Sequence, residues 1–102
     1  MLKQKLVDLV TTAVKEAQTA SKLPAFTLPE IVIEHPQNPE HGDYSSSVAL
    51  KLAKEARMKP VDIAKAAADF IHPLLEIEKV DVAPPGFINF TLKKGWLSRQ
   101  VD

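Results

Sequence analysis

Hydrophobic residues recur at intervals of three and four through the first twenty positions of the chain. This spacing places apolar side chains along one face of a helix, so it predicts a helix over residues 2–20 that ends before Pro24. The same period returns over residues 45–57 and again from Pro60 towards residue 75, which predicts two more helices. Pro60 suits the first position of the third helix, where its missing N–H costs no hydrogen bond.

Two other parts of the chain have the composition of strands. Residues 30–35 centre on three β-branched side chains and predict a short strand, and the polar segment 37–44 that follows predicts a loop. Residues 79–83 and 87–92 flank a Pro-Pro-Gly turn and predict a hairpin. We therefore expect an α+β fold, with three helices packed on a small, mainly antiparallel sheet that includes a C-terminal β-hairpin.

The second strand of the hairpin has two chemically different faces. Side chains alternate along a strand, so every second residue points the same way. One face carries Ile88, Phe90 and Leu92 and is the natural core face, whereas the opposite, outer face carries Phe87, Asn89 and Thr91.

The composition of the chain excludes several classes of function. The chain has 102 residues, which suits one domain, and 13 basic residues balance 13 acidic ones. A dedicated nucleic-acid binder is usually basic, so this balance argues against strong autonomous binding but allows a module that adds a few contacts. The absence of cysteine excludes disulfides and thiol nucleophiles. No long apolar run follows Met1, which predicts a cytoplasmic protein without a membrane partner.

Candidate catalytic groups are weak. His35 and His41 could join nearby carboxylates around a metal ion, but nothing in the sequence enforces that geometry, and ordinary loop polar groups are the better interpretation. The serines at 45–47 lack the strained turn that activates a nucleophile, and helix capping explains them, or Asp43, better. Three scattered glycines do not make a phosphate loop. We expect neither a catalytic residue nor a metal site.

Two groups of residues are candidates for RNA contact. Lys51, Lys54 and Arg57 share the second predicted helix, although a solvated helix face explains them equally simply. Phe87 could stack on an unpaired base while Asn89 hydrogen-bonds the edge of that base. The alternative for this pair is local, with Phe87 covering the hairpin end and Asn89 satisfying backbone groups.

Two segments resemble a known family. The stretch from Asn38 to Tyr44 (NPEHGDY) and the stretch from Lys79 to Phe90 (KVDVAPPGFINF) are similar to segments near the start of arginyl-tRNA synthetases. They occur in the family's order, separated by the helix that begins at Pro60, and the resemblance extends from the first helix to Leu92.

The resemblance implies a specific role. In this family an N-terminal α+β module contacts the D-loop at the elbow of tRNA(Arg), ahead of a class I catalytic domain. It implies that Phe87 stacks on an exposed D-loop nucleotide and that Asn89 reads its edge. Residues 1–92 would form the module, and residues 93–102 would begin the connection to the catalytic domain.

On this resemblance, the full-length enzyme would join arginine to its tRNA in the cytoplasm, using ATP with Mg²⁺. The chain carries none of the family's catalytic signatures, so we do not expect the fragment alone to be catalytic. The loop motif favours a structural role over RNA contact, with Gly42 allowing a tight turn while Asp43 and Tyr44 cap and pin the second helix.

A protein-interaction module is the alternative function. Such a module would dock on the synthetase body or on another factor without touching RNA, and the neutral charge favours it. The outer face of the hairpin distinguishes the two, because a docking surface should be mainly apolar and an RNA surface mainly polar.

Overall fold

A computed structural model describes residues 2–37, 42–72 and 74–93 of the chain. Within these ranges the chain forms three helices and four strands. In chain order they are α1 (Leu2–Thr19), β1 (Ile33–Glu34), β2 (Tyr44–Ser46), α2 (Val48–Ala56), α3 (Pro60–Ala68), β3 (Ile77–Ala83) and β4 (Phe87–Leu92).

The strands form one antiparallel sheet in the order β1-β2-β4-β3. Strand β4 lies between β2 and β3, so both of its edges are hydrogen-bonded. The three helices, the antiparallel sheet and the β3–β4 hairpin confirm the predicted α+β class.

The core lies between the helices and one face of the sheet, which we call the inner face. Cross-strand pairing sets this face, because directly opposed residues point to the same side. Apolar inner-face residues are at most 4 % exposed: Ile33, Tyr44, Ile77, Ile88, Phe90 and Leu92. They belong to one cluster with the apolar stripes of all three helices. The chain therefore encloses a continuous hydrophobic core of its own.

The first helix follows its prediction, and the second does not. α1 ends at Thr19, one residue short of the predicted end. α2 begins at Val48 rather than at residue 45, because Tyr44–Ser46 forms strand β2 between β1 and β4. The helical spacing after Val48 led the sequence analysis to extend α2 back to residue 45. Strand β2 is not visible in that local pattern, because it forms by pairing with β1 and β4.

Two further elements are shorter than predicted. α3 ends at Ala68 instead of continuing towards residue 75, and the amides of Phe70 and Ile71 bond three residues back in tight turns. A proline at 73 disfavours helical geometry at the residue before it, which is consistent with an early end. β1 has two residues instead of six, because its partner β2 is only three residues long.

The hairpin agrees with its prediction, although β3 starts two residues earlier, at Ile77. Its turn packs closely on the start of α3. A Cβ built on Gly86 would lie 2.5 Å from the Cβ of Pro60, so this contact requires glycine. Residues 94–102, most of the predicted connection, lie outside the described residues.

Candidate functional site

The face of the sheet that points away from the helices carries mainly polar side chains. We call it the outer face. The register aligns Glu34 with Ser45, Ser45 with Asn89, and Asn89 with Asp81, so these four side chains form one row across all four strands. Phe87 lies on the same face, two residues before Asn89 on β4. The predicted division of β4 into two faces therefore matches the observed pairing.

Asn89 is far less accessible than the sequence interpretation implied. Its side chain is only 4 % exposed, because it lies on a central strand between Ser45 of β2 and Asp81 of β3. Its Oδ1 atom is buried and accepts no hydrogen bond from the part of the chain that the structure describes. A buried carbonyl oxygen without a donor is costly, so a donor from outside the described residues would stabilise it.

Phe87 borders a cavity beside this row. The cavity has a volume of about 420 Å³ and extends from β4 to the chain after β1. Its lining combines one aromatic ring with hydroxyl, imidazole, carboxamide and carboxylate groups. The lining residues are Glu34, His35, Pro36, Gln37, Ser45, Ser47 and Phe87. Asn89 is not among them, but it neighbours two residues that are: Ser45 lies across from it on β2, and Phe87 precedes it by two residues on β4.

The His35 wall of the cavity is held by defined contacts. The ring of His35 packs against the ring of Tyr44, with centroids 4.5 Å apart and planes tilted by 38°. Its Nδ1 lies 3.2 Å from the carbonyl oxygen of Asp43. A carbonyl oxygen only accepts hydrogen bonds, so Nδ1 is the donor, and in the neutral ring Nε2 remains an acceptor.

Asp43 fastens the start of β2 to β4. Its backbone N–H donates to the carbonyl oxygen of Phe90 at 2.8 Å, and its Oδ2 accepts from the N–H of Leu92 at 2.7 Å. The prediction that Asp43 caps and pins α2 is therefore wrong: it pins β4. The nearest equivalent of a cap is the hydroxyl of Ser46, which accepts from the N–H of Val48 at 3.3 Å.

Gly42 makes this close approach possible. Its φ is +82°, a conformation that L side chains rarely adopt, and a Cβ built there would lie 2.7 Å from the carbonyl oxygen of Phe90. The prediction that Gly42 permits a tight turn is confirmed.

The basic candidates do not join Phe87 and Asn89. Lys51 and Lys54 are exposed on α2, whose buried stripe packs towards the inner face of the sheet. Arg57 is also exposed and ends α2 in a left-handed conformation, with φ of 54°. These three cations therefore project from the helix layer, on the opposite side of the sheet from the outer face.

The described histidines and carboxylates do not form a metal site. Within residues 2–37, 42–72 and 74–93, no group of three or more His, Asp or Glu side chains is placed to hold a metal ion. His72 is exposed and pairs with Glu16 at 3.0 Å. Among the described helices, none is long and apolar enough to cross a membrane.

Sequence reasoning missed the polar side of the cavity. Ser45 and Ser47 were assigned to a helix or its cap, whereas both line the cavity. Their signal was present in a short alternation: Tyr44 and Ser46 are buried on the inner face, while Ser45 and Ser47 are on the other side. Four residues are too few to distinguish such a strand from the beginning of a helix.

The chain matches a family model described as the arginyl-tRNA synthetase N-terminal domain over residues 4–92. It is 41 % identical over 96 residues to an arginine–tRNA ligase from Dehalococcoides mccartyi, and 40 % identical over 96 residues to one from Moorella thermoacetica. These alignments cover 94 % and 93 % of the chain but only 17 % of each relative. The chain thus spans about a sixth of the length of these relatives.

Solved structures agree in fold. The Thermus thermophilus arginyl-tRNA synthetase superimposes with a TM-score of 0.72 at 26 % identity, over 97 % of this chain and 15 % of that one. The Plasmodium falciparum arginyl-tRNA synthetase gives a TM-score of 0.74 at 16 % identity, over 96 % of this chain and 17 % of that one.

Proposed function

We propose that this chain, which belongs to the arginyl-tRNA synthetase N-terminal domain family, binds tRNA through the outer face of its sheet. In this role Phe87 stacks on an unpaired base of the D-loop of tRNA(Arg), and Asn89 hydrogen-bonds the edge of that base. The domain holds the elbow of the tRNA while another part of a longer arginine–tRNA ligase carries out the reaction.

The observation that carries the proposal is the buried Oδ1 of Asn89, which lacks a hydrogen-bond donor in the described part of the chain. An N–H group on a base edge would supply that donor. Ser45 and Phe87 neighbour Asn89 on the same face and line the adjacent cavity, so a base held in that cavity would lie beside Asn89. The cavity volume of about 420 Å³ is large enough to admit a base.

The charges of the outer face favour contact with a base over contact with phosphates. The row includes the carboxylates of Glu34 and Asp81, and Asp81 pairs with Lys79 at 3.5 Å. A face with both signs of charge gains little from counterion release. Its recognition of RNA would depend on stacking and on hydrogen bonds to the base.

The polar outer face also weighs against the alternative, in which this face docks on a protein without contacting RNA. Across Glu34, Ser45, Asn89 and Asp81 it lacks the contiguous apolar surface that a docking site needs.

The proposal extends to the complete ligase. Residues 1–92 form the domain, and residues 93–102 begin the connection to a catalytic domain that binds ATP with Mg²⁺ and arginylates tRNA in the cytoplasm.

Any contact with tRNA by the basic residues of α2 would be separate from the base contact. These residues are Lys51, Lys54 and Arg57. They are carried by α2 in the helix layer, whereas Phe87 and Asn89 lie on the outer face of the sheet. We propose that they contact backbone phosphates elsewhere on the tRNA. Their loss would then weaken binding without changing base preference.

The test is an NMR titration of the isotopically labelled chain with a D-arm hairpin from an arginine tRNA at low salt. Amide shifts should centre on Phe87, Asn89 and Ser45. Asn89→Ala should reduce affinity about 5- to 150-fold, the range expected for losing a base-edge hydrogen bond. Changing the loop base should have a similar effect in the unaltered chain and little further effect in the variant.

Lys54→Ala is the matched control, because it removes an exposed group from the helix layer. We expect it to leave the shifts on β4 in place and to change affinity less than Asn89→Ala does. Binding that is insensitive to Asn89 and to the loop base, but sensitive to Lys54, would show that the outer face is the wrong surface.

A further inference from the structure

A second surface lies on the helix side of the molecule, away from the RNA face proposed above. It is an open groove of about 490 Å³ between the first half of α1 and the turn before β3. Its lining is mostly apolar and includes Leu9, Thr12, Leu74 and Leu75, with Lys5 and Glu76 at one end.

Leu75 makes this groove unusual for a small domain. Its side chain is 86 % exposed, the largest exposure of any large apolar residue in the described ranges. Leu9 and Leu74 beside it are only partly buried, so the exposed apolar surface is contiguous. Contiguous surfaces of this kind with a polar rim are characteristic of interaction sites.

The last described residue, Lys93, lies beside the groove. Its N–H donates to the carbonyl oxygen of Glu76, which lines the groove, at 2.9 Å. The matched relatives are about six times as long as the aligned segment and, because the matching family model is of an N-terminal domain, most of their length follows it. Polypeptide that continues from Lys93 therefore starts at the edge of the groove.

The ion pair at the end of the groove supports its shape. Lys5 of α1 lies 3.2 Å from Glu76, whose side chain is 9 % exposed. This contact fixes α1 against the turn that presents Leu75. The other carboxylate of the lining, Asp8, accepts a hydrogen bond from the side-chain amide of Gln4 at 3.0 Å.

We propose that the catalytic domain of the same polypeptide docks in this groove. In doing so, it inserts an apolar side chain between α1 and Leu75. The inference rests on the proposal that the chain is part of a longer ligase. Docking here leaves the outer face of the sheet free for tRNA, and it fixes the direction in which that face points relative to the rest of the enzyme.

The absence of cysteine from the chain permits a direct test. Leu75→Cys is prepared in the full-length ligase, with any other cysteines replaced, and in the 102-residue chain, which encloses its own core. The reaction of the thiol with Ellman's reagent is then timed. We expect the thiol to react at least about tenfold more slowly in the full-length protein, because a covered thiol is less accessible. Lys54→Cys, on the exposed face of α2, is the control and should react at the same rate in both.

Equal reaction rates for Leu75→Cys in the two proteins would overturn the proposal. So would a 102-residue chain that sediments as a dimer and becomes monomeric in Leu75→Glu, because the occupant would then be a second copy. Leu75→Glu should lower the melting temperature of the full-length ligase and leave that of the 102-residue chain unchanged. None of these results depends on RNA, so they can fail or succeed separately from the titration above.

Discussion

Strand β4 presents two faces that obey different constraints. On the inner face, Ile88, Phe90 and Leu92 are at most 3 % exposed beneath the helices. On the outer face, Phe87 and Thr91 are half-buried, and Asn89 between them is buried with an Oδ1 that accepts no hydrogen bond from the described residues. Burial of apolar side chains therefore accounts for the choice of residues on the inner face of β4. It does not account for a buried asparagine on the outer face.

The difference shows which face the fold requires. Burial of apolar area contributes the stability of the inner face, in proportion to the area removed from water. On the outer face, a polar side chain occupies the centre of a sheet where a β-branched residue would pack better and leave no acceptor unpaired. A residue that the fold does not favour is a reasonable candidate for a functional one.

The largest expected effect distinguishes the two faces by stability. Phe90→Ala should lower the free energy of unfolding by about 3–5 kcal/mol, because it leaves a cavity in the centre of the core. Phe87→Ala removes the same ring from the half-buried face and should cost only about 1–2 kcal/mol. Urea unfolding followed by circular dichroism measures both. Equal losses would mean that the outer face is also a packed core.

The next effect concerns the contact through which Asp43 fastens the start of β2 to β4. Asp43→Ala leaves the N–H of Leu92 without the carboxylate that accepts it at 2.7 Å. We expect a loss of about 1–3 kcal/mol, the usual cost of an unpaired, partly buried donor. Asp43→Asn keeps an acceptor oxygen and should recover most of that loss in the same unfolding measurement. If both variants were equally destabilised, the carboxylate charge would matter more than the hydrogen bond.

A smaller effect comes from the ion pair at the edge of the helix layer. A hydrogen bond from its own backbone N–H lowers the pKa of Glu76, the partial burial of the carboxyl opposes this, and Lys5 lowers the pKa further. A carboxylate with a lowered folded-state pKa stabilises the fold above its unfolded pKa of about 4.3 and loses that contribution as the pH falls through the folded value.

Glu76→Gln should therefore be less stable than the unaltered chain at neutral pH, by less than about 1 kcal/mol because Lys5 is largely exposed. The difference should shrink as the pH is lowered from about 6 to about 3. Urea titrations at a series of pH values measure this difference. A gap that stays constant over this range would exclude the charged carboxylate as its cause.

The fold was largely predictable because its main signals are local. Helical spacing predicted α1 to within one residue, and the Pro-Pro-Gly turn between two apolar strands predicted the hairpin. Strand β2 was missed because its stability comes from pairing with β1 and β4, which the sequence near Tyr44 does not record. The early end of α3 likewise depends on how the chain turns back towards β3.

The candidate site was predictable only in part. Alternation placed Phe87 and Asn89 on one face, but it could not show that neighbouring strands bury Asn89. Nor could it show that Ser45 lies directly across from Asn89, because this depends on the register of β2. Lys51, Lys54 and Arg57 were candidates for RNA contact by charge alone, and packing places their helix on the other side of the sheet from Phe87. Distance along the chain does not reveal which side of a sheet a helix covers.

The smallest expected change in stability is the most informative about the outer face. Asn89→Val replaces a buried amide, whose Oδ1 accepts nothing from the described residues, with an apolar side chain that suits a central strand. We expect the free energy of unfolding to stay within about 0.5 kcal/mol or to rise, while binding of the D-arm hairpin is lost. Urea unfolding and the NMR titration measure the two quantities on one protein. A loss of stability above about 2 kcal/mol would instead make Asn89 a structural residue, because its amide would then be satisfying a group that valine cannot. Retained stability with lost binding would mean that the asparagine is kept for the ligand, so that the two faces of β4 serve folding and recognition separately.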